Sequence, residues 1–218
     1  MKALQRVRVN PGNAILVIVD VQNEFCKPTG KRCSETCARV APGVIKAIHG
    51  LAEQARSNGI PVIYIQSVRT GQEPEYTVFG LDPILKLGTW ASQIVDELKP
   101  QQGDTVIQKF SHDPFYRPDL DRVLQGMVKE PTRHCAIVTG GNINICLYHA
   151  VLGFHLRNYW TVLPVDSTYY ASEYEKGIAL HQFSNRAHPN IFLSRSDLIE
   201  FSTVKAAVRP VIRPIQTI

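Results

Sequence analysis

Ala14-Ile-Leu-Val-Ile-Val-Asp20 is an unbroken apolar run closed by an acid. Such a run, without polar alternation, predicts a strand buried on both faces, as in parallel sheets. Downstream, Val44, Ile45, Ile48, Leu51, Ala52 and Ala55 recur at helical spacing between Pro42 and Gly59, which predicts an amphipathic helix opening at Pro42. Strands are expected at 61–66 and 105–108, with a short helix from Ala91 to Leu98 between them. Leu120, Val123, Leu124 and Met127 mark a helix that ends before Pro131, and Cys135–Thr139 is a fourth strand. A helix over about 144–158, a strand at 160–165, a helix opened by Ser172 and a strand at 191–194 complete the pattern. Glu175, three residues after Ser172, gives the spacing of a capping box.

Strand and helix alternate throughout, and right-handed crossovers place such helices on both faces of a sheet. The expected fold class is α/β: a three-layer α/β/α, Rossmann-like arrangement with a central parallel sheet of about six strands. A chain of 218 residues makes one domain, and no repeat, low-complexity stretch or interdomain linker divides 1–218. The segment 67–90 reads as a surface excursion. The ends read as basic arms, about 1–12 and 203–218, the second carrying Pro210 and Pro214 and expected to dock on a neighbouring subunit.

Hydrophobic residues make up 44% of the chain and charged residues 20%, an ordinary globular balance. The net charge of +5 comes from Lys2, Arg6, Arg8, Lys205, Arg209 and Arg213, which leaves the body near neutral and argues against nucleic acid as a partner. The apolar run Ala14–Val19 is far short of the ~20 residues of a membrane span, so no membrane partner is expected. The N-terminus lacks the apolar core of a secretory signal, and the expected location is the cytoplasm. There the five cysteines are expected as free thiols.

Ligands of an open parallel sheet bind beyond the carboxyl ends of its strands. Asp20 closes the first strand, Lys109 follows the third, and Cys146 lies six residues past Gly140, near the start of the helix after the fourth. Each has an ordinary alternative: a turn-capping acid, a solvated lysine, a cysteine filling the core. An acid, a cation and a thiol at one sheet edge are a nucleophile with its activating groups. A helix N-terminus and a nearby cation lower a thiol's pKa, so Cys146 is expected to be the most reactive of the five. Cys26, Cys33 and Cys37 lack the paired spacing of a zinc site. His112 is a candidate substrate contact, Phe25 and Phe115 are candidate aromatic pocket walls, and His149 is expected to pack.

The segment from Ala14 to Phe25, the strand end Val106-Ile-Gln-Lys109, the segment Val138-Thr-Gly-Gly-Asn-Ile-Asn-Ile-Cys146 and Val165-Asp-Ser-Thr168 together resemble the isochorismatase-like hydrolases. That family includes isochorismatases, nicotinamidases, carbamoylsarcosine amidases and ureidoacrylate hydrolases. The resemblance implies a catalytic triad of Asp20, Lys109 and Cys146, a cis Gly141–Asn142 peptide, and an oxyanion hole from the N–H groups of Asn142 and Cys146. It further implies a thioester formed on a small amide or carbamoyl compound, with no cofactor, and a homo-oligomer, dimer or tetramer. Alternatives are a vinyl-ether hydrolase of the isochorismatase type and a catalytically silent relative. Asn142 and Ile143 replace the family's usual Ala and Thr, and Asp113-Pro-Phe115 replaces its Ser-Ala-Phe. The Asp-x-His that binds metal in nicotinamidases is absent after Gln66, so no metal is expected.

Overall fold

The computed structural model describes residues 3–81 and 84–202 and the backbone of 211–214. Its main sheet holds six parallel strands: β2 (Ala14–Val19), β3 (Val62–Ser67), β4 (Thr105–Lys109), β5 (Cys135–Gly140), β6 (Trp160–Pro164) and β7 (Ile191–Ser194). Their order, β4-β3-β2-β5-β6-β7, grows outward from β2 in both directions. The chain therefore reverses its direction of growth between β2 and β5, and the crevice at such a switch point is where ligands bind.

All six residues of β2 are buried, and they divide between two cores. Ile15, Val17 and Val19 face the side covered by α4 (Asp119–Met127), α5 (Cys146–Leu156) and α6 (Glu173–Phe183). Leu16 and Ile18 face the side covered by α2 (Glu35–Ser57), while the one-turn helices α1 (Asn23–Cys26) and α3 (Pro74–Thr77) stand in the loops after β2 and β3. Each fully buried side chain of this kind contributes ~1.5–3 kcal/mol, so the two faces together fix the strand's register. No helix among the described residues is long and apolar enough to cross a membrane.

Three expectations need correction. The long helix opens at Glu35 rather than at Pro42, because Ser34 caps it by accepting from the Cys37 N–H at 3.1 Å and Cys37 and Ala41 bury its first turns. Pro42 sits inside the helix, where its missing N–H removes one backbone bond. The helix expected at 91–98 is two 3₁₀ turns, Trp90–Ser92 and Asp96–Leu98. Between them the backbone bonds elsewhere: Gln93 O accepts from Asn23 N and Val95 N donates to Val21 O.

The N-terminal arm is a strand, β1 (Gln5–Val9), paired in parallel with β8 (Ile199–Phe201). Val7 and Val9 are buried, while Arg6 and Arg8 pair with Glu200 at 2.8 and 3.3 Å. In the C-terminal arm, β9 (Val211–Pro214) pairs antiparallel with β1. Residues 203–210 and 215–218 lie outside the described residues.

Gly140 ends β5 with φ +101°, and a Cβ there would lie 2.0 Å from the Val19 carbonyl oxygen. Gly140→Ala is expected to destabilise the protein by more than about 3 kcal/mol or abolish folding. Gly50→Ala, in an open stretch of α2 with nothing within 4 Å of the new Cβ, should change stability by at most about 1 kcal/mol, in the favourable direction. Urea unfolding midpoints of the two variants check this.

Candidate active site

At the switch point Asp20 turns the chain out of β2 in a left-handed conformation, φ 53°. An aspartate tolerates this at some cost, and the backbone around it is tightly held. Its N–H donates to Ile65 O at 2.9 Å, and its carbonyl accepts from Gln22 N and from the Tyr169 hydroxyl, each at 2.8 Å. Its Oδ1 accepts from Ser67 N at 3.0 Å. Gln22 braces the same strand end, accepting from Ser67 N and donating to the carbonyls of Ser67 and Ser92.

Lys109, the last residue of β4, reaches across β3. Its Nζ lies 2.9 Å from Asp20 Oδ2 and donates to Ser67 Oγ at 2.7 Å and Ser111 O at 3.0 Å. Asp20 and Lys109 are 1% and 4% exposed. Burial opposes the ammonium's charge, but Asp20 and the neighbouring thiol outweigh it and hold Lys109 above the usual lysine range. Asp20 Oδ2 accepts no aligned hydrogen bond, so it keeps a lone pair for another donor.

Cys146 stands at the first position of α5, and the charges of both Asp20 and Lys109 act on its sulfur. Burial, reinforced by the charge of Asp20 and opposed by that of Lys109, pushes the thiol up to about 12. Desolvation of the sulfur therefore outweighs the pull of the nearby cation. At rest Cys146 is a thiol that needs a base in contact with it.

The loop between β5 and α5 is pinned from both sides. Gly141 N donates to Val19 O at 3.0 Å, Tyr169 N to Gly140 O at 3.0 Å, and Ile143 N to Tyr169 O at 3.1 Å. A Cβ at Gly141 would meet the Tyr169 ring at 2.8 Å, so glycine alone lets that ring under the loop. The Gly141–Asn142 peptide is cis. Among the described residues, neither the Asn142 nor the Cys146 N–H has an acceptor in the protein. Two donors beside a nucleophile suit an oxyanion.

A pocket of about 390 Å³ opens over this constellation. Asp20, Phe25, His112, Asn142 and Cys146 all line it, and Phe25 stacks near Tyr169 with ring centroids 6.4 Å apart. His112 Nδ1 lies 3.4 Å from Cys146 Sγ, so this residue meets the nucleophile itself. Burial, then the charges of Lys109 and Arg69, lower its pKa and keep the ring neutral. Phe115 is a correction: it packs edge-on against Phe154 and beneath the Arg157 guanidinium, over the bare Cα of Gly153, and lines no part of the pocket. His149 is exposed, 2.8 Å from Ile145 O. Cys26 and Cys37 are buried and Cys33 half-buried, all free. No group of three metal-ligating side chains occurs among the described residues.

Sequence reasoning passed over Ser67, Arg69, Tyr169 and Glu175, all of which line the pocket. Ser67 and Arg69 could have been found as the end of β3 and the turn beyond it. Tyr169 directly follows the quoted Val165–Thr168 segment.

A family model described as the isochorismatase domain matches residues 14–191. The chain belongs to the isochorismatase family. It is 31% identical over 190 residues to the ureidoacrylate amidohydrolase RutB of Pseudomonas savastanoi pv. phaseolicola (strain 1448A), covering 76% of this chain and 74% of that one. Among solved structures, a cysteine hydrolase from Pseudomonas syringae pv. phaseolicola 1448A superposes with TM-score 0.74 at 22% identity, over 90% of this chain and 94% of that one. N-carbamoylsarcosine amidase from Thermoplasma acidophilum does so with TM-score 0.68 at 25% identity, over 85% and 97%.

In this isochorismatase-family protein the two charges beside the thiol act oppositely. Asp20→Asn removes a charge that raises the thiol pKa and should lower it, whereas Lys109→Ala removes one that lowers it and should raise it. The pH profile of iodoacetamide alkylation at Cys146, read by peptide mapping, checks both directions.

Proposed function

We propose that this protein is a hydrolase that cleaves the C–N bond of a small amide or carbamoyl compound through a thioester on Cys146. The observation that carries this is the buried Asp20–Lys109 pair at 2.9 Å, set against a buried thiol at a helix N-terminus. Relatives named as a ureidoacrylate amidohydrolase and an N-carbamoylsarcosine amidase support the same bond class.

In this reading Asp20 Oδ2 takes the thiol proton as sulfur attacks the carbonyl carbon, and Lys109 holds the carboxylate in place. The Asn142 and Cys146 N–H groups receive the negative oxygen of the tetrahedral adduct. Collapse of the adduct breaks the C–N bond, and Asp20 returns its proton to the departing nitrogen. Water then attacks the thioester carbon, giving up a proton to Asp20, and the acid and the free thiol are released. A cytoplasmic setting suits five cysteines that form no disulfide among the described residues. Assembly as a homo-oligomer suits the exposed apolar side chains of Val78, Phe79 and Leu81.

Ammonia release over a panel of amides, ureas and carbamoyl acids tests the reading. Cys146→Ala should abolish turnover, and Asp20→Asn should lower kcat/KM by at least ~10²–10⁴-fold. The double variant should be little worse than the worse single one, because the two residues act as a unit. Ammonia release that survives Cys146→Ala would overturn the thioester route, and Asp20-dependent, Cys146-independent turnover of a vinyl ether in place of the amides would point to acid-catalysed ether cleavage.

A further inference from the structure

The pocket has a second polar end that the hydrolysis scheme leaves unused. Glu175 stands three residues into the segment opened by Ser172, where a capping box would turn its carboxylate back onto the Ser172 N–H. Only half of that box forms. Ser172 Oγ accepts from Glu175 N at 3.2 Å, but the carboxylate makes no return bond and lines the pocket instead. Its Oε2 is buried and has no hydrogen-bond partner.

The other charges of the pocket interior are matched. Asp20 pairs with Lys109, and Arg69 pairs with Glu75 at 2.6 Å while also donating to Val68 O. Arg32 also lines the pocket but is exposed, and water screens its charge. Glu173, on the same helix as Glu175, takes Tyr170 and Lys176 as partners, so neither is left for Glu175. Asn142 Oδ1, in the same pocket, is a second buried acceptor without a donor. A buried carboxylate oxygen without a donor is costly to keep, and such groups persist where a ligand supplies the missing partner.

We propose that Glu175 is the specificity determinant of this pocket and selects substrates that carry an ammonium or guanidinium group on the arm beyond the scissile carbonyl. This rests on the amide-hydrolase reading and adds a substrate class to it. A cationic N–H donor satisfies the orphaned oxygen and neutralises its charge, giving the strong, charge-assisted kind of hydrogen bond.

Three amides of matched length test it: 4-aminobutanamide (cationic), pentanamide (neutral) and glutaramate (anionic). The wild-type protein should favour 4-aminobutanamide over pentanamide by at least about tenfold in kcat/KM, the size expected of one charge-assisted contact. In Glu175→Gln that ratio should fall to about one, and Glu175→Lys should turn the preference toward glutaramate. Reading a ratio cancels any general loss of activity or folding. If none of the three is turned over, their dissociation constants on the wild-type and Glu175→Gln proteins give the same comparison. No cationic preference, or one that Glu175→Gln leaves intact, overturns the proposal. The amide-hydrolase reading fails separately, on the absence of Cys146-dependent ammonia release from the wider panel.

Discussion

A carboxylate and an ammonium held 2.9 Å apart and out of water are the constraint around which this molecule is arranged. Removing one partner of such a pair leaves the other charged and buried, at a cost of ~3–5 kcal/mol, so the fold must hold both in place. It does so with three adjacent strand ends. Asp20 leaves β2, Ser67 closes β3 and bonds both charged side chains, and Lys109 closes β4. The fourth participant comes from across the switch point, where Gly140 lets the chain from β5 pass against the Val19 carbonyl on its way to Cys146. Topology thus brings to one edge an acid, a cation and a thiol that the sequence spreads from position 20 to position 146.

The electrostatics of this arrangement favour restraint at rest. Desolvation and Asp20 keep the sulfur protonated against the pull of Lys109, and His112 beside it is kept neutral. In the proposed reaction such a thiol becomes a nucleophile when the carboxylate takes its proton during attack. In the proposed reaction Lys109 serves the carboxylate first, since it holds Asp20 in position at 2.9 Å, and it influences the sulfur only in second place.

Much of this was legible in the chain. The run from Ala14 to Val19 announces a strand buried on both faces, and the residues closing the strands announce where chemistry sits. Burial was the quantity hidden from the sequence, and the misreadings follow from it. Gln5-Arg-Val-Arg-Val9 reads as a basic tail until Val7 and Val9 are seen to be buried and both arginines to face Glu200. Phe115 reads as a pocket wall because it is near Lys109 in sequence, but the missing side chain of Gly153 draws it into the core. Glu175 reads as a cap, and only the path of its side chain shows that the cap is half made.

The most direct test of the account is the covalent state of Cys146 during turnover. Acid quenching of the protein with a substrate it hydrolyses, followed by intact-mass and peptide analysis, should find the acyl group on Cys146 alone and removable by hydroxylamine. Steady turnover with unmodified Cys146 at every quench time, and the same rate in Cys146→Ala, would contradict it.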